Sequence, residues 1–301
     1  MAWRSIVISK PAQLRREHFS LAIKQEETAF VPFEDIAVIV LNHREITLTH
    51  PLLSACAEYG ISLFSTGDNH QPNGVFLPYQ QHSRATRMLR LQLNIARPAA
   101  KQAWAAMVRH KIANQARCLA LARREGAERI DSYARRVRSG DAGNSEALAA
   151  SHYFPQLFGQ GFHRSQERWI NAALDYGYAV LRGAIARELV AHGLLPSLGL
   201  FHASEQNAFN LADDLIEPFR PIVDLHVASQ PLSEERELFP VDKASLVALL
   251  NVDVVMPRGT MSVLAAIEQS VESLTRFYEN ENADSLELPM LSGLRQHFRE
   301  Q

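Results

Sequence analysis

The sequence predicts an α+β protein, with an N-terminal β-rich, sandwich-like domain over 1–80, a linker over 81–88 and a larger all-α domain over 89–301. Three observations predict it. The first eighty residues alternate apolar and polar side chains in short runs, as half-buried strands do. From about Gln81 the pattern lengthens to the helical period, in segments rich in Ala, Leu and Arg. The chain has 301 residues, enough for two ordinary cores.

The elements follow in order. RSIVIS opens the strand series. HFSLAIKQ comes next, with Phe19, Leu21 and Ile23 on one face, then TAFVPF and IAVIVLN. The unbroken apolar run of IAVIVLN suits the core of its own sheet. HPLLSACAEYG has a helical pattern closed by Gly60, and ISLFST and VFLPY flank the turn-like GDNHQPNG. Long helices begin with ATRMLRLQLNIA and AAKQAWAAMVRHKIANQARCLALARR. At GNSEALAASHYF, Asn144 or Ser145 caps another helix, and Glu146 in its first turn suits the positive end of the dipole. INAALDYGYAVLRGAIARELVAHG ends at Gly193, with Tyr176 and Tyr178 read as core. A loop carrying His202 leads into NAFNLADDLIEPFR, where Pro218 removes a helix hydrogen bond and bends the chain just after Glu217. ENENADS reads as a polar turn, and LSGLRQHFRE as a last packed helix or a docking tail.

Composition excludes several classes. No run of 18 or more apolar residues is present, so a membrane-spanning helix is not expected. The start MAWRSIVISKPAQLRRE lacks the apolar core and cleavage site of a signal peptide, so a cytoplasmic location is expected. Cys56 and Cys118 form no CxxC pair, so both thiols are expected to pack rather than bridge or bind zinc. The net charge of −2 conceals an asymmetry: between Arg84 and Arg138 stand fourteen Lys and Arg against three Asp and Glu. Such a stretch favours a polyanion, because each neutralised phosphate releases counterions; the alternative is a solvated helix face. Arg84, Arg87 and Arg90, at i,i+3 spacing on one face, are the first candidates for phosphate contacts.

The acids after His202 pose a separate problem. Asp214 and Glu217 share a helix face, as do Asp213 and Glu217, and apolar Phe209, Leu211, Leu215, Ile216 and Phe219 surround them. Burying them without a cation is costly, so either Arg220 or a metal supplies positive charge.

GNSEALAASHYF at 143–154, NAALDYGYAVL at 171–181, LGLFH ending at His202 and FNLADDLIEPFRPIVD at 209–224 carry a resemblance that spans the chain. The sequence resembles the integrase and endonuclease subunit of CRISPR adaptation, the first of the CRISPR-associated (Cas) proteins, and most resembles its type II branch. The resemblance implies that Glu146, His202 and Glu217 are the catalytic metal ligands; those two carboxylates and one imidazole make a hard, oxygen-rich donor set suited to Mg2+ or Mn2+, and no HExxH or cysteine set suggests zinc. It leaves Asp214 as an auxiliary candidate and gives Asp213 no counterpart. Ala147 departs from the glycine that often follows the first glutamate. Arg220 is expected either to lean toward a phosphate or to pair with Glu217. The resemblance further implies a helical catalytic domain that joins 3′-hydroxyl ends of spacer-precursor duplexes to a CRISPR repeat. It implies a homodimer made through the β domain, and a small dimeric second Cas protein that completes a heterohexamer. An unrelated metal-dependent repair nuclease, or a non-catalytic nucleic-acid-binding module using the basic helices, are the rival readings.

Overall fold

The computed structural model describes residues 4–67, 71–79, 82–166, 168–231 and 237–297. The β unit contains two four-stranded sheets. In the first, β1 (Arg4–Ile8), β5 (Ile36–Leu41) and β7 (Ser62–Thr66) run parallel in the order β1-β5-β7, and β8 (Pro72–Phe76) closes the edge antiparallel. The second has the order β4-β3-β2-β6, from β2 (Ala12–Glu17), β3 (Ser20–Lys24), β4 (Thr28–Pro32) and β6 (Ile46–Leu48). Ile8, Leu14, Leu21, Phe33 and Ile39 fill the space between the sheets, joined by Leu52 and Cys56 of α1 (His50–Glu58).

β5 is buried on both faces, as a parallel strand with an unbroken apolar run should be. Ala37, Val38 and Val40 join Phe64 of β7 in a second, larger core shared with the helices. The expected face of Phe19, Leu21 and Ile23 holds for the last two only. Phe19 lies outside β3, beside His18 at φ 53°, and is 72% exposed. β2 and β6 are strands that the alternation did not pick out.

The larger unit is mostly helical. It comprises α2 (Ala85–Asn94), α3 (Arg97–Leu121), α4 (Ala127–Ala134), α5 (Ser145–Phe158), α6 (Trp169–Ala191), α7 (Asn210–Leu215), α8 (Arg220–Ser229), α9 (Pro240–Ala248) and α10 (Val263–Asn280). The last strand of the β unit ends at Phe76 and α2 starts at Ala85, within the stretch read as linker. Part of GDNHQPNG and residues 80–81 lie outside the described residues.

An antiparallel three-stranded sheet, β10-β9-β11, modifies the all-α expectation for this unit. It is built from β9 (Val252–Met256), β10 (Gly259–Ser262) and β11 (Met290–Gln296). Most of LSGLRQHFRE therefore forms a strand rather than a helix, its end lying outside the described residues. Pairing of Leu291 with Val254, and Ser292 Oγ donating to Asp253 O at 2.6 Å, outweigh its local helical pattern.

α6 touches both units. Gly183 lies against Phe64, and a Cβ there would overlap the edge of its ring at Cζ. At Gly177 a Cβ would lie 2.5 Å from Val223 of α8. These glycines let the helix approach its neighbours closely. Cys56 and Cys118 are buried free thiols, as packing roles require. Among the described residues, no helix is long and apolar enough to cross a membrane.

Candidate functional site

Glu146 enters the site from the first turn of α5. The cap of that helix is Asp141, not Asn144 or Ser145: its carboxylate accepts from the backbone N–H of Ser145 and of Glu146, each at 2.9 Å. Asn144 makes no side-chain cap because it adopts the left-handed conformation, φ 49°, that turns the chain into the helix. Asp141 thus fixes the Glu146 backbone directly.

Glu217 enters where the helix is interrupted. α7 ends at Leu215, Glu217–Phe219 form a single 3-10 turn, and α8 resumes at Arg220. Pro218 and Pro221 each remove a backbone donor, so the expected bend is present. Buried Asn114 of α3 donates to Pro218 O at 2.8 Å, holding the turn in place.

The two carboxylates converge on Lys111 of α3. Its Nζ lies 2.6 Å from Glu146 Oε1 and also contacts Glu217 Oε2. Arg220 Nε donates to the other oxygen, Glu217 Oε1, at 2.8 Å, and its guanidinium lies over the Tyr178 ring at 4.6 Å. Arg220 therefore pairs with Glu217, one of its two expected roles. Burial alone would raise the Glu217 carboxyl, but the Lys111 and Arg220 cations hold it down at about 2. Burial likewise works against the Lys111 ammonium, and its two carboxylate partners more than compensate, so its pKa rises. Glu217 Oε2 is buried and receives no well-directed hydrogen bond, so its contact with Lys111 is chiefly electrostatic.

His202 sits in the loop between α6 and α7, and Asp214 organises that loop. The Asp214 carboxylate accepts from the backbone N–H of Leu200 at 2.6 Å, Phe201 at 3.1 Å and His202 at 3.1 Å, and from His202 Nδ1 at 2.7 Å. These bonds occupy its acceptor sites, so Asp214 serves the histidine loop in this arrangement. Gly199 is required there: a Cβ would overlap the His202 carbonyl. Trp104 of α3 stacks on Phe201 at 4.3 Å and meets the His202 ring edge-on at 5.5 Å. Asp213 faces elsewhere, accepting from Asn207 Nδ2 at 2.7 Å with Arg182 at 3.8 Å.

Beneath the carboxylates, Tyr153 of α5 and Tyr178 of α6 both donate to the buried Asp224 of α8. Burial raises the Asp224 carboxyl to about 6 despite these hydrogen bonds. Tyr153, in the motif containing Glu146, therefore pins α5 to α8. Tyr176 and Tyr178 are buried, as a core role requires.

Arg84, Arg87 and Arg90 are exposed on or beside α2, with Arg87 paired to Glu279 at 3.0 Å. Among the described residues, no ion pair joins them to the carboxylates. Lys111 was hidden in the sequence within the basic count. The available signal was its place between apolar Val108 and Ile112, which the structure buries.

Among the described residues, no group of three or more His, Cys, Asp and Glu side chains is gathered to hold a metal. The donors nevertheless fit a divalent cation. Two carboxylates from separate elements already point at one cation, and one buried carboxylate oxygen lacks a directed hydrogen bond. The anchored imidazole keeps Nε2 free of protein partners among the described residues.

The fold, a β unit carrying a larger helical one, is shared with solved structures of low sequence identity. A casposase bound to integration product superposes with a TM-score of 0.73 at 17% identity, covering 92% of this chain and 91% of that one. A chain of a Cas6-RT-Cas1–Cas2 complex gives 0.71 at 16% identity, covering 94% of this chain and 36% of the longer one. The protein belongs to the CRISPR-associated protein Cas1 family, whose model matches residues 6–236. It is 45% identical over 305 residues to the CRISPR-associated endonuclease Cas1 of Neisseria meningitidis serogroup C (strain 8013), covering 99% of both chains.

Proposed function

We propose that the protein is a metal-dependent DNA endonuclease and integrase that inserts short foreign DNA duplexes into a CRISPR array. The observation that carries this reading is the convergence of Glu146 and Glu217 on a single cation, with His202, anchored by Asp214, within electrostatic reach of Glu217. Glu146, His202 and Glu217 would hold Mg2+ or Mn2+, with His202 contributing Nε2. Such an ion supplies Lewis acidity to the phosphoryl oxygen and to the attacking and leaving oxygens.

The chain's own residues do the rest. Asp141 fixes the Glu146 backbone, Asp214 sets the imidazole orientation, and Arg220 and Lys111 bring positive charge to where a phosphodiester would lie. The reaction is one transesterification. A duplex 3′-hydroxyl oxygen forms a bond to phosphorus as the bond to the leaving 3′ oxygen breaks, and the hydroxyl proton passes to that oxygen through solvent. With water as nucleophile the same site hydrolyses DNA, which suits a family whose members are named endonucleases.

The partners follow the same reading. The casposase bound to integration product supports DNA as substrate, and the Cas6-RT-Cas1–Cas2 complex supports a second Cas protein as partner; we propose that this partner is a small dimer that completes a heterohexamer. Phe30, 55% exposed on β4, and the exposed Phe19 support a homodimer made through the β domain. Arg84, Arg87 and Arg90 would track DNA phosphates, with Arg220 nearer the reacting one. Cleavage of a branched duplex in Mg2+, Mn2+ or EDTA tests the proposal. Wild type should cut only with metal, while Glu146→Gln and Glu217→Gln should lose about 100-fold or more. Cutting by all three proteins in EDTA would overturn it.

A further inference from the structure

Among the described residues, Lys111 is the one cation that contacts both carboxylates of the site, and its position raises a question of charge. Glu146 and Glu217 carry two negative charges, and Lys111 and Arg220 two positive ones. These four charges balance before any metal ion enters. A divalent ion held by the same carboxylates adds two positive charges at a glutamate that is 4% exposed, more than the buried Asp224 beneath them can offset.

The two cations are not equivalent. Arg220 is fixed: it stacks on Tyr178 and bonds the outer oxygen of Glu217. Lys111 lies between the facing oxygens, Glu146 Oε1 and Glu217 Oε2, where a shared ion would also lie. Its compact ammonium rides on a flexible stem that is 12% exposed, so it has a route out of the gap.

We propose that Lys111 is a built-in placeholder cation that competes with the divalent metal for Glu146 and Glu217 and passes to a DNA phosphate when the metal binds, coupling metal binding to DNA binding. This rests on the metal reading above. By linkage, DNA then raises metal affinity by the same factor that metal raises DNA affinity.

The test is Mn2+ titration followed by the paramagnetic resonance of free aqueous Mn2+, with and without a 3′-dideoxy duplex that cannot be joined. Wild type should bind Mn2+ weakly alone and about tenfold or more tighter with duplex. Lys111→Met and Lys111→Gln should bind Mn2+ about tenfold tighter than wild type without duplex, and duplex should add little; Lys111→Arg should retain the coupling. A second readout needs no variant: reductive methylation of wild-type Lys111, followed by mass spectrometry, should rise on adding Mn2+ and fall again on adding duplex.

A merely structural lysine predicts the opposite, with weaker metal binding in the neutral variants and methylation indifferent to Mn2+. Either result would overturn the inference. Mn2+ binding that is lost in Glu217→Gln but unchanged in the Lys111 variants would leave the metal reading standing and remove only this one. Mn2+ binding absent from wild type, or indifferent to Glu217→Gln, would remove both.

Discussion

His202 is held by Asp214, and the hydrogen bond at 2.7 Å raises its pKa above the ordinary histidine value, against burial, which lowers it. A histidine whose folded pKa is raised contributes stability that is complete below the unfolded pKa and lost as pH rises through the folded one. The urea-unfolding gap between wild type and His202→Asn should therefore shrink from about pH 6 to about pH 8. A gap that widens would contradict the pairing. The same proton must leave before Nε2 can hold a metal, so activity should fall on acidification below that raised pKa. At this scale the sequence was partly legible. Glu146, His202 and Glu217 stand in recognisable motifs, and Pro218 announced the interruption beside Glu217. Asp214 was visible only as an acid near the others, because the three loop N–H groups it accepts come from residues more than ten positions away. Lys111 disappeared among fourteen basic residues, several of which serve the fold: Arg117, for example, donates to Leu291 O at 2.8 Å.

At the scale of elements, α3 is the spine of the site, supplying Lys111, Trp104 and Asn114. Asn114 is buried and fully used: it donates to Pro218 O at 2.8 Å and Pro289 O at 2.9 Å, and accepts from Leu291 N at 2.9 Å. It thus ties the Glu217 turn and the start of β11 to one helix. Asn114→Ala strands two carbonyls and an N–H, and should cost about 3–5 kcal/mol in urea unfolding. Activity should stay low even where the variant is folded, because the Glu217 turn loses its anchor. Wild-type activity in folded variant would show that the turn needs no such tie. The long helices were legible from periodicity because their apolar faces repeat over several turns. β6 is three residues long and β2 has charged residues on its outward side, so neither gave a clear alternating run. β11 depends on its pairing with β9, which local pattern cannot reveal.

Across the whole molecule, the first sheet is covered on one side by the second sheet and on the other by the helical unit, with Phe64 against Gly183 at the join. The change of period near Gln81 made the two units legible, whereas their shared core was not, since it depends on which face of β5 meets the helices. The basic stretch is a claim about the molecular surface. Arg84, Arg87 and Arg90 replaced together by Ala should weaken DNA binding and reduce its salt dependence by about two to three charges. An unchanged salt slope would place the phosphate track elsewhere. The central claim, that Glu146 and Glu217 share one metal for DNA joining, is tested most directly by strand transfer. A labelled short duplex with a 3′-hydroxyl would be incubated with a repeat-containing plasmid and the small dimeric Cas partner, using wild type, Glu146→Gln and Glu217→Gln in Mg2+, Mn2+ or EDTA. Joined product from wild type with metal alone is the predicted result; equal joining by all three proteins, or joining in EDTA, would contradict the account.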